Sequence, residues 1–392
     1  MKNKQTIIFL IVFLAYTSIY IARVNLSIAG PELIELGCLD TSQIGLLGSI
    51  FSTIYSIGRL INGAAGDKTP PWKMLVTGLA IAGISNICIS FFPPFIGISL
   101  FWASNAFAQS MLWSSVLCVV TALYDKDTAK QKTSVMVSSV AVGNILGIIV
   151  NTLLITKLGV AFAFAVPGAI TINLALLTFI STRHIPAPTA ESKPHNSVFR
   201  LLKNRELLCM CFPALFHGVM KENISLWMTV FIVSRFAVDL STSSYYILLI
   251  PIIGLIGRIV YPLLLNLCHE KENTVSIIGF MVCIAASAAL CLGAINITVA
   301  VILLSIIYMS VSIINTSMLS IYPMHYISSG NTASVSGIMD FSTYLGSGIS
   351  GAVYGVIIKR FGYSPMFISW AAISVISIII ITAVNRKYKS KM

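Results

Sequence analysis

Long apolar runs separated by short polar breaks dominate the chain. They fall at approximately 7–31, 43–66, 73–92, 95–124, 133–157, 159–181, 207–234, 242–267, 274–294, 296–324, 333–358 and 364–385. Each is near or above the ~20 residues an α-helix needs to cross hydrocarbon, and too long for the ~10-residue alternating strands of an outer-membrane barrel. Lipid gives loose backbone groups no hydrogen-bond partner, so helices are the remaining solution. The pattern predicts an all-α integral membrane protein with twelve transmembrane helices. The longest polar break, from Ser181 to Glu206, is rich in Pro, Ser and charge and reads as a linker. The chain then divides into an N-terminal six-helix half (1–181), a cytoplasmic linker (182–206) and a C-terminal six-helix half (207–392). The opening MKNKQTIIFL has lysines before an apolar run, as a signal peptide does, but no clear small-residue cleavage site precedes Arg23. It reads as a retained first helix.

Composition agrees: 57% of the 392 residues are apolar and 10% charged, against roughly 25% charged in soluble domains. The formal charge of +12 could point to nucleic acid, but its placement says otherwise. With the N-terminus inside, seventeen Lys and Arg residues fall on cytoplasmic segments and four outside. That positive-inside bias puts both termini in the cytoplasm, with a bacterial plasma membrane as the expected location. The basic surplus is therefore topology plus a few charges within spans, and no nucleic-acid partner is expected. The eight cysteines are scattered through apolar segments, and Cys209-x-Cys211 reads as helix packing. The five histidines show no metal spacing, and neither a GxxxxGK[ST] phosphate loop nor a nucleophile–base set occurs. No catalytic residue, cofactor or metal is expected.

The charges within spans carry the chemistry. Arg23 lies in the first apolar run, and Tyr16, Tyr20 and Ser27 share its helical face. A charge at bilayer depth costs about 2.5–3.5 kcal/mol even on the lenient insertion scale, which makes it a functional-site hypothesis. An internal repeat supplies partners. Ile57-Gly58-Arg59-Leu60-Ile61 recurs as Ile256-Gly257-Arg258-Ile259-Val260, 199 residues later; Thr133-Ser134-Val135 recurs as Ala333-Ser334-Val335, 200 later. At 198, Arg23 falls on Lys221. Halves related by a pseudo-two-fold axis would make these two face each other across a central cavity, forming a clamp for an anion. Arg offers a planar fork and Lys a point charge. Tyr16 and Tyr20 add hydroxyl donors, and His217 and Ser225 flank Lys221 one turn either way. The bland alternative has both cations merely paired with buried acids. Glu222 adjoins Lys221, and Asp340 is the mid-span carboxylate of span eleven. Either acid carries a coupling proton or simply balances a cation, with balancing slightly favoured. Arg59, with Ser52, Tyr55 and Asn62 near its face, either lines the cavity or belongs to a close Gly-Arg helix contact. Asn105, Gln109 and Trp113 form a polar stripe in span four, fit for cavity lining or for interhelical hydrogen bonds. Between spans two and three, Gly63, Gly66, Asp67 and Lys68 read as a tight gating loop at the cytoplasmic surface.

That GxxGDK loop, the two six-span halves and the long linker resemble the major facilitator superfamily over essentially the whole chain. More narrowly, Tyr16, Tyr20, Arg23, Asn25, Ala29, Pro31 and Leu33 resemble the first helix of the organophosphate:phosphate antiporters. The resemblance implies that Arg23 and a seventh-helix cation, here Lys221 followed by Trp227, grip the phosphoryl group. It also implies that Arg59 is the second-helix cation and that Gln109 and Trp113 are the fourth-helix Gln-x-x-x-Trp. This chain departs in having Lys for Arg in helix seven and Val140 near the fifth-helix histidine. The RxNxSxA run is also similar to anion:cation symporters, which commonly have Asp directly before the Arg, where this chain has Ala22.

The resulting expectation is a secondary active permease that moves a small organic anion, a phosphorylated or carboxylated metabolite, by alternating access. Proton or phosphate would be the coupling ion, the bilayer the surrounding partner, and a monomer the working unit. The alternatives are a proton-coupled organic-acid symporter, a drug efflux permease, and a membrane sensor that binds ligand without moving it.

Overall fold

The computed structural model describes residues 2–66, 69–92, 94–185, 201, 203–291, 295–326 and 332–388, and every regular element among them is helical. The first part of the chain forms α1 (Lys2–Glu35), α2 (Thr41–Gly66), α3 (Pro71–Ile89), α4 (Phe95–Ser110), α5 (Leu112–Leu123), α6 (Lys126–Leu158) and α7 (Phe162–Thr182). The second forms α8 (Arg205–Phe236), α9 (Leu240–Ile247), α10 (Leu249–Leu267), α11 (Glu272–Leu290), α12 (Ile297–Asn315), α13 (Thr332–Phe361) and α14 (Ser364–Tyr388). The pairs α4–α5 and α9–α10 are single runs, broken for one residue at Met111 and Leu248. Eleven runs among the described residues are long and apolar enough to cross a membrane. The remaining long helix, α8, carries Lys221, Glu222 and Asn223 at mid-length, and these dilute its apolar character. This is a multi-pass integral membrane protein.

Beyond α12 the chain continues as a π-helix, Thr316–Ile321, and then a 3₁₀ turn, Tyr322–Tyr326. Gly63 and Gly66 were expected in a loop but belong to the last turn of α2; the small residues extend the helix rather than turn it. Asp67 and Lys68, the rest of that expected gating loop, lie outside the described residues, as does most of the expected linker.

By its internal contacts the chain separates into two compact units, Met1–Glu191 with Asp239–Ser244, and Ser192–Val238 with Tyr245–Met392. In the first, α1 packs on α6 and α7, α3 on α4 and α7, and α2 on α4. In the second, α8 packs on α13 and α14, α11 on α12 and α14, and α10 on α12. The same pairing scheme recurs, and it recurs at residue level. Asn151 Nδ2 donates to the Ile21 carbonyl at 3.0 Å, fastening α6 to α1. At an offset of 199, Ser350 accepts from Asn223 Nδ2 at 2.7 Å, fastening α13 to α8.

Close backbone approach makes glycine obligatory at these two crossings. A Cβ on Gly143 would stand 2.5 Å from the Tyr20 Cβ and 2.7 Å from the Thr17 carbonyl oxygen. A Cβ on Gly218 would overlap the Thr343 carbonyl oxygen, and one on Gly346 the Leu215 carbonyl oxygen. Small residues that let helices approach are the main adhesive in lipid, where no hydrophobic force pulls helices together.

Helix ends repeat too. Asp40 and Gln43 cap α2 reciprocally: the Gln43 N–H donates to Asp40 Oδ1 at 2.9 Å, and the Asp40 N–H to Gln43 Oε1 at 2.8 Å. At 199 residues further, Asp239 caps α9 by accepting from the Thr242 N–H at 3.1 Å. The Thr242 hydroxyl and N–H hold the Asp239 carboxyl below its usual range. Gly37 follows α1 with φ +68°, and Ala237 follows α8 with φ +51°, where glycine would be the unstrained choice.

Candidate functional site

In the first unit, α1 and α2 together build a cation among aromatic rings. Arg23 was expected to stand on a face with Tyr16 and Tyr20. The structure adds a wall from α2, whose Phe51, Tyr55 and Arg59 recur every fourth residue and so share one face. The Arg23 guanidinium carbon is 4.6 Å from the Phe51 ring centroid, 5.3 Å from Tyr55 and 5.9 Å from Tyr20. Arg59 stands 5.9 Å from that same Tyr55 ring. Each cation–π contact is worth about 0.5–2 kcal/mol, more where water is excluded, so the rings offset part of the cost of holding a charge here. Arg23 and Arg59 both remain partly accessible. Two positive groups sharing one tyrosine ring make a place where an anion relieves mutual repulsion.

Behind them, Tyr16 is buried, with its ring 5.6 Å from Tyr20 and 5.4 Å from Trp113 of α5. Phe51 also meets Trp102 of α4 at 5.4 Å. Gln109 is buried and donates from Nε2 to Asn105 Oδ1 at 3.0 Å, within its own helix. The structure therefore gathers Tyr16, Tyr20, Arg23, Arg59 and Trp113 around one cluster and turns Gln109 into the α4 interior. Asn25 is fully buried, donating to Asn86 Oδ1 at 2.8 Å and to the Ala163 carbonyl at 3.2 Å, which fixes α1 against α3 and α7. Phe51 was missed from the sequence. Its signal was the four-residue spacing of Phe51, Tyr55 and Arg59, which a reading centred on charges passes over.

In the second unit, α8 and α13 build a different kind of cation site. Lys221 Nζ is 3.2 Å from Glu222 Oε1 and 5.4 Å from the Tyr344 ring centroid. Both acid and base are partly accessible, at 16% and 25% of the side chain, so the pair is neither sealed away nor fully hydrated. Asp340 stands one turn before Tyr344 on α13 and is half-buried. The charge-balancing role considered for Glu222 is seen in this ion pair.

Trp227, implied as a site residue by resemblance, is placed otherwise. It is fully buried, its indole N–H donates to Asn223 Oδ1 at 3.2 Å, and it serves as interior packing of the unit. Its donor is used and its faces are covered, because Asn223 is itself committed to Ser350 of α13 and to the Val219 carbonyl. No group of three or more His, Cys, Asp and Glu suited to a metal occurs among the described residues.

Comparison with known proteins follows the same lines. A family model described as Major Facilitator Superfamily matches residues 8–351. A probable hexose phosphate transport protein of Chlamydia muridarum is 30% identical over 47% of this chain and 41% of its own length. The membrane sensor protein UhpC of Escherichia coli K12 is 31% identical over 30% of this chain and 27% of its own length. The matched part thus spans less than half of either relative. Among solved structures, a bacterial homolog of the human lysosomal transporter Spinster superposes with a TM-score of 0.79 at 16% identity, covering 99% of this chain and 97% of that one. That likeness is one of fold. The chain belongs to the Major Facilitator Superfamily, a family of transporters rather than enzymes, and its kinship with organophosphate transporters agrees with the resemblance seen in the first helix.

Proposed function

We propose that this member of the Major Facilitator Superfamily is a secondary active transporter of a small organic anion, a phosphorylated or carboxylated metabolite, working by alternating access in a bacterial plasma membrane. The observation that carries the reading is the Arg23 guanidinium held among Tyr20, Phe51 and Tyr55, with Arg59 on the same Tyr55 ring. Arg23 and Lys221 are the two groups proposed to bind the anion, Arg23 by its bidentate fork and Lys221 as a point charge. Arg59, Tyr16, Tyr20 and Trp113 support the first of them. Phosphorylated sugars are the first choice of solute, since the relatives named above handle hexose phosphate. Exchange against phosphate is the simplest coupling for such a solute.

The test is counterflow in proteoliposomes loaded with inorganic phosphate, with labelled glucose 6-phosphate or gluconate outside. Saturable uptake that disappears in Arg23→Ala supports the reading. Uptake that persists in Arg23→Ala removes the clamp. A second reading is favoured by the similarity to a membrane sensor: a protein that binds the anion without moving it. Ligand-induced thermal stabilisation with no counterflow would establish that one instead.

A further inference from the structure

The second unit holds a buried group that the anion site does not use. His217 lies on α8 one turn before Lys221 and is fully buried. Neither Nδ1 nor Nε2 has a hydrogen-bond partner among the described residues. A neutral imidazole has one N–H and one lone pair to satisfy, and leaving such groups unmade in an interior is costly enough that a retained case calls for an explanation. Its counterpart in the first unit, 198 residues earlier, is the apolar Ile19. The scaffold therefore does not require a histidine at this position.

The charged surroundings of His217 are few. On α8 they are Lys221 and Glu222, paired with each other. Of the helices packed on α8, α12 has no charged side chain and presents the Val311 carbonyl, which falls short of hydrogen-bond geometry. Helix α13 brings Asp340 and Tyr344 at mid-length and Lys359 and Arg360 in its last turn; α14 has Arg386 and Lys387 near its end. At the α8 turn itself, Lys221 and Glu222 sum to zero, and a proton on His217 would leave one uncompensated positive charge in an apolar interior. An anion on Lys221 brings that sum to minus one, and protonation of His217 then restores neutrality.

Resting on the anion reading above, we propose that His217 is a proton site linked to anion binding at Lys221, so that solute and proton are taken up together. The proton comes from the aqueous side to which the site is open, resides on an imidazole nitrogen while the anion is bound, and returns to water when the anion leaves. No bond other than N–H is made or broken. The protein would then run as an anion–proton symporter as well as an exchanger.

The test measures protons taken up when purified protein binds inorganic phosphate, glucose 6-phosphate or gluconate, using calorimetry in buffers of different ionisation enthalpy. Gluconate has no group titrating near neutrality, so any proton uptake with it belongs to the protein. Wild type is expected to take up about one half to one proton per anion near pH 7. His217→Gln should bind within about threefold of wild type yet take up none. In proteoliposomes, an acid-outside gradient should speed uptake by wild type and leave His217→Gln unchanged, while counterflow at equal pH continues in both. Wild type that binds without taking up protons, or His217→Gln that still responds to the gradient, overturns this inference and leaves the anion reading standing. Wild type that binds none of the three probes overturns both. Should His217→Gln not fold, histidine-labelled wild type gives the same answer by NMR. One of the five imidazoles must change protonation when gluconate is added, and a spectrum in which none does is equally fatal.

Discussion

The two units share one packing scheme and solve the problem of a membrane-depth cation in opposite ways. In the first, Arg23 is surrounded by ring faces; in the second, Lys221 leans on a carboxylate. The difference follows from the cations themselves. A guanidinium spreads its charge over a plane, is weakly hydrated and stacks on aromatic rings, whereas an ammonium is a compact charge that needs a counter-ion or water. The Arg23 site is left with unneutralised positive charge from Arg23 and Arg59 around one tyrosine. The Lys221 site starts neutral and becomes negative when an anion arrives. A shared scaffold thus provides one strong anion grip and one adjustable one, with a histidine beside the adjustable side only.

The comparison can be broken or sharpened experimentally. The largest effect is expected from the crossings that both units depend on. Gly218→Ala drives a methyl into the Thr343 backbone and should cost more than the ~1–3 kcal/mol typical of overpacking. The readout is loss of monodisperse protein and a lowered melting temperature. Gly143→Ala should do less harm, since the Tyr20 side chain yields part of the space; equal damage would mean the two crossings are equally rigid. Next, Arg23→Ala should weaken anion binding by roughly 10- to 150-fold, the worth of a charge-assisted hydrogen bond, in a thermal-shift titration with glucose 6-phosphate. Lys221→Ala should cost less, because Glu222 already occupies that ammonium. Lys221→Arg should tighten phosphate binding by about threefold to tenfold through a bidentate contact and leave gluconate nearly unchanged. The smallest effect is at a helix end: Ala237→Gly should stabilise the second unit by about 1 kcal/mol by relieving a left-handed alanine, read as a rise in melting temperature. The same position in the first unit, Gly37, is already glycine.

Much of this was legible in the sequence because the bilayer leaves a chain few choices. Runs of ~20 apolar residues must become helices, and the 199-residue repeat was visible at Arg59 and Arg258 before the structure extended it to helix caps, crossings and hydrogen bonds. The placement of Arg23, Tyr16 and Tyr20 on one face followed from helical periodicity alone. What sequence could not supply was the neighbour across a helix–helix contact. Phe51 came to Arg23 from another element. Trp227 looked like a site residue until Asn223 and Ser350 were seen to enclose it. Gly63 and Gly66 suggested a turn because glycine permits one, yet in an apolar span continuing the backbone ladder costs less than opening it.

The π-helix at Thr316–Ile321 has a consequence for how this chain tolerates change in length. A π turn accommodates one residue more than an α turn would, so everything after it is rotated by about 100° relative to an uninterrupted helix. That rotation is what brings His325 Nε2 to within 2.8 Å of Glu272 Oε1 at the start of α11. It accompanies a second tie between the same regions, from the Ser317 hydroxyl to the Glu272 carbonyl at 2.6 Å. The vulnerable event in this segment is therefore a deletion rather than a substitution. Removing one residue would let the ladder close into regular α-helix and carry His325 around the axis, away from its acid, with every apolar side chain nearby left chemically intact.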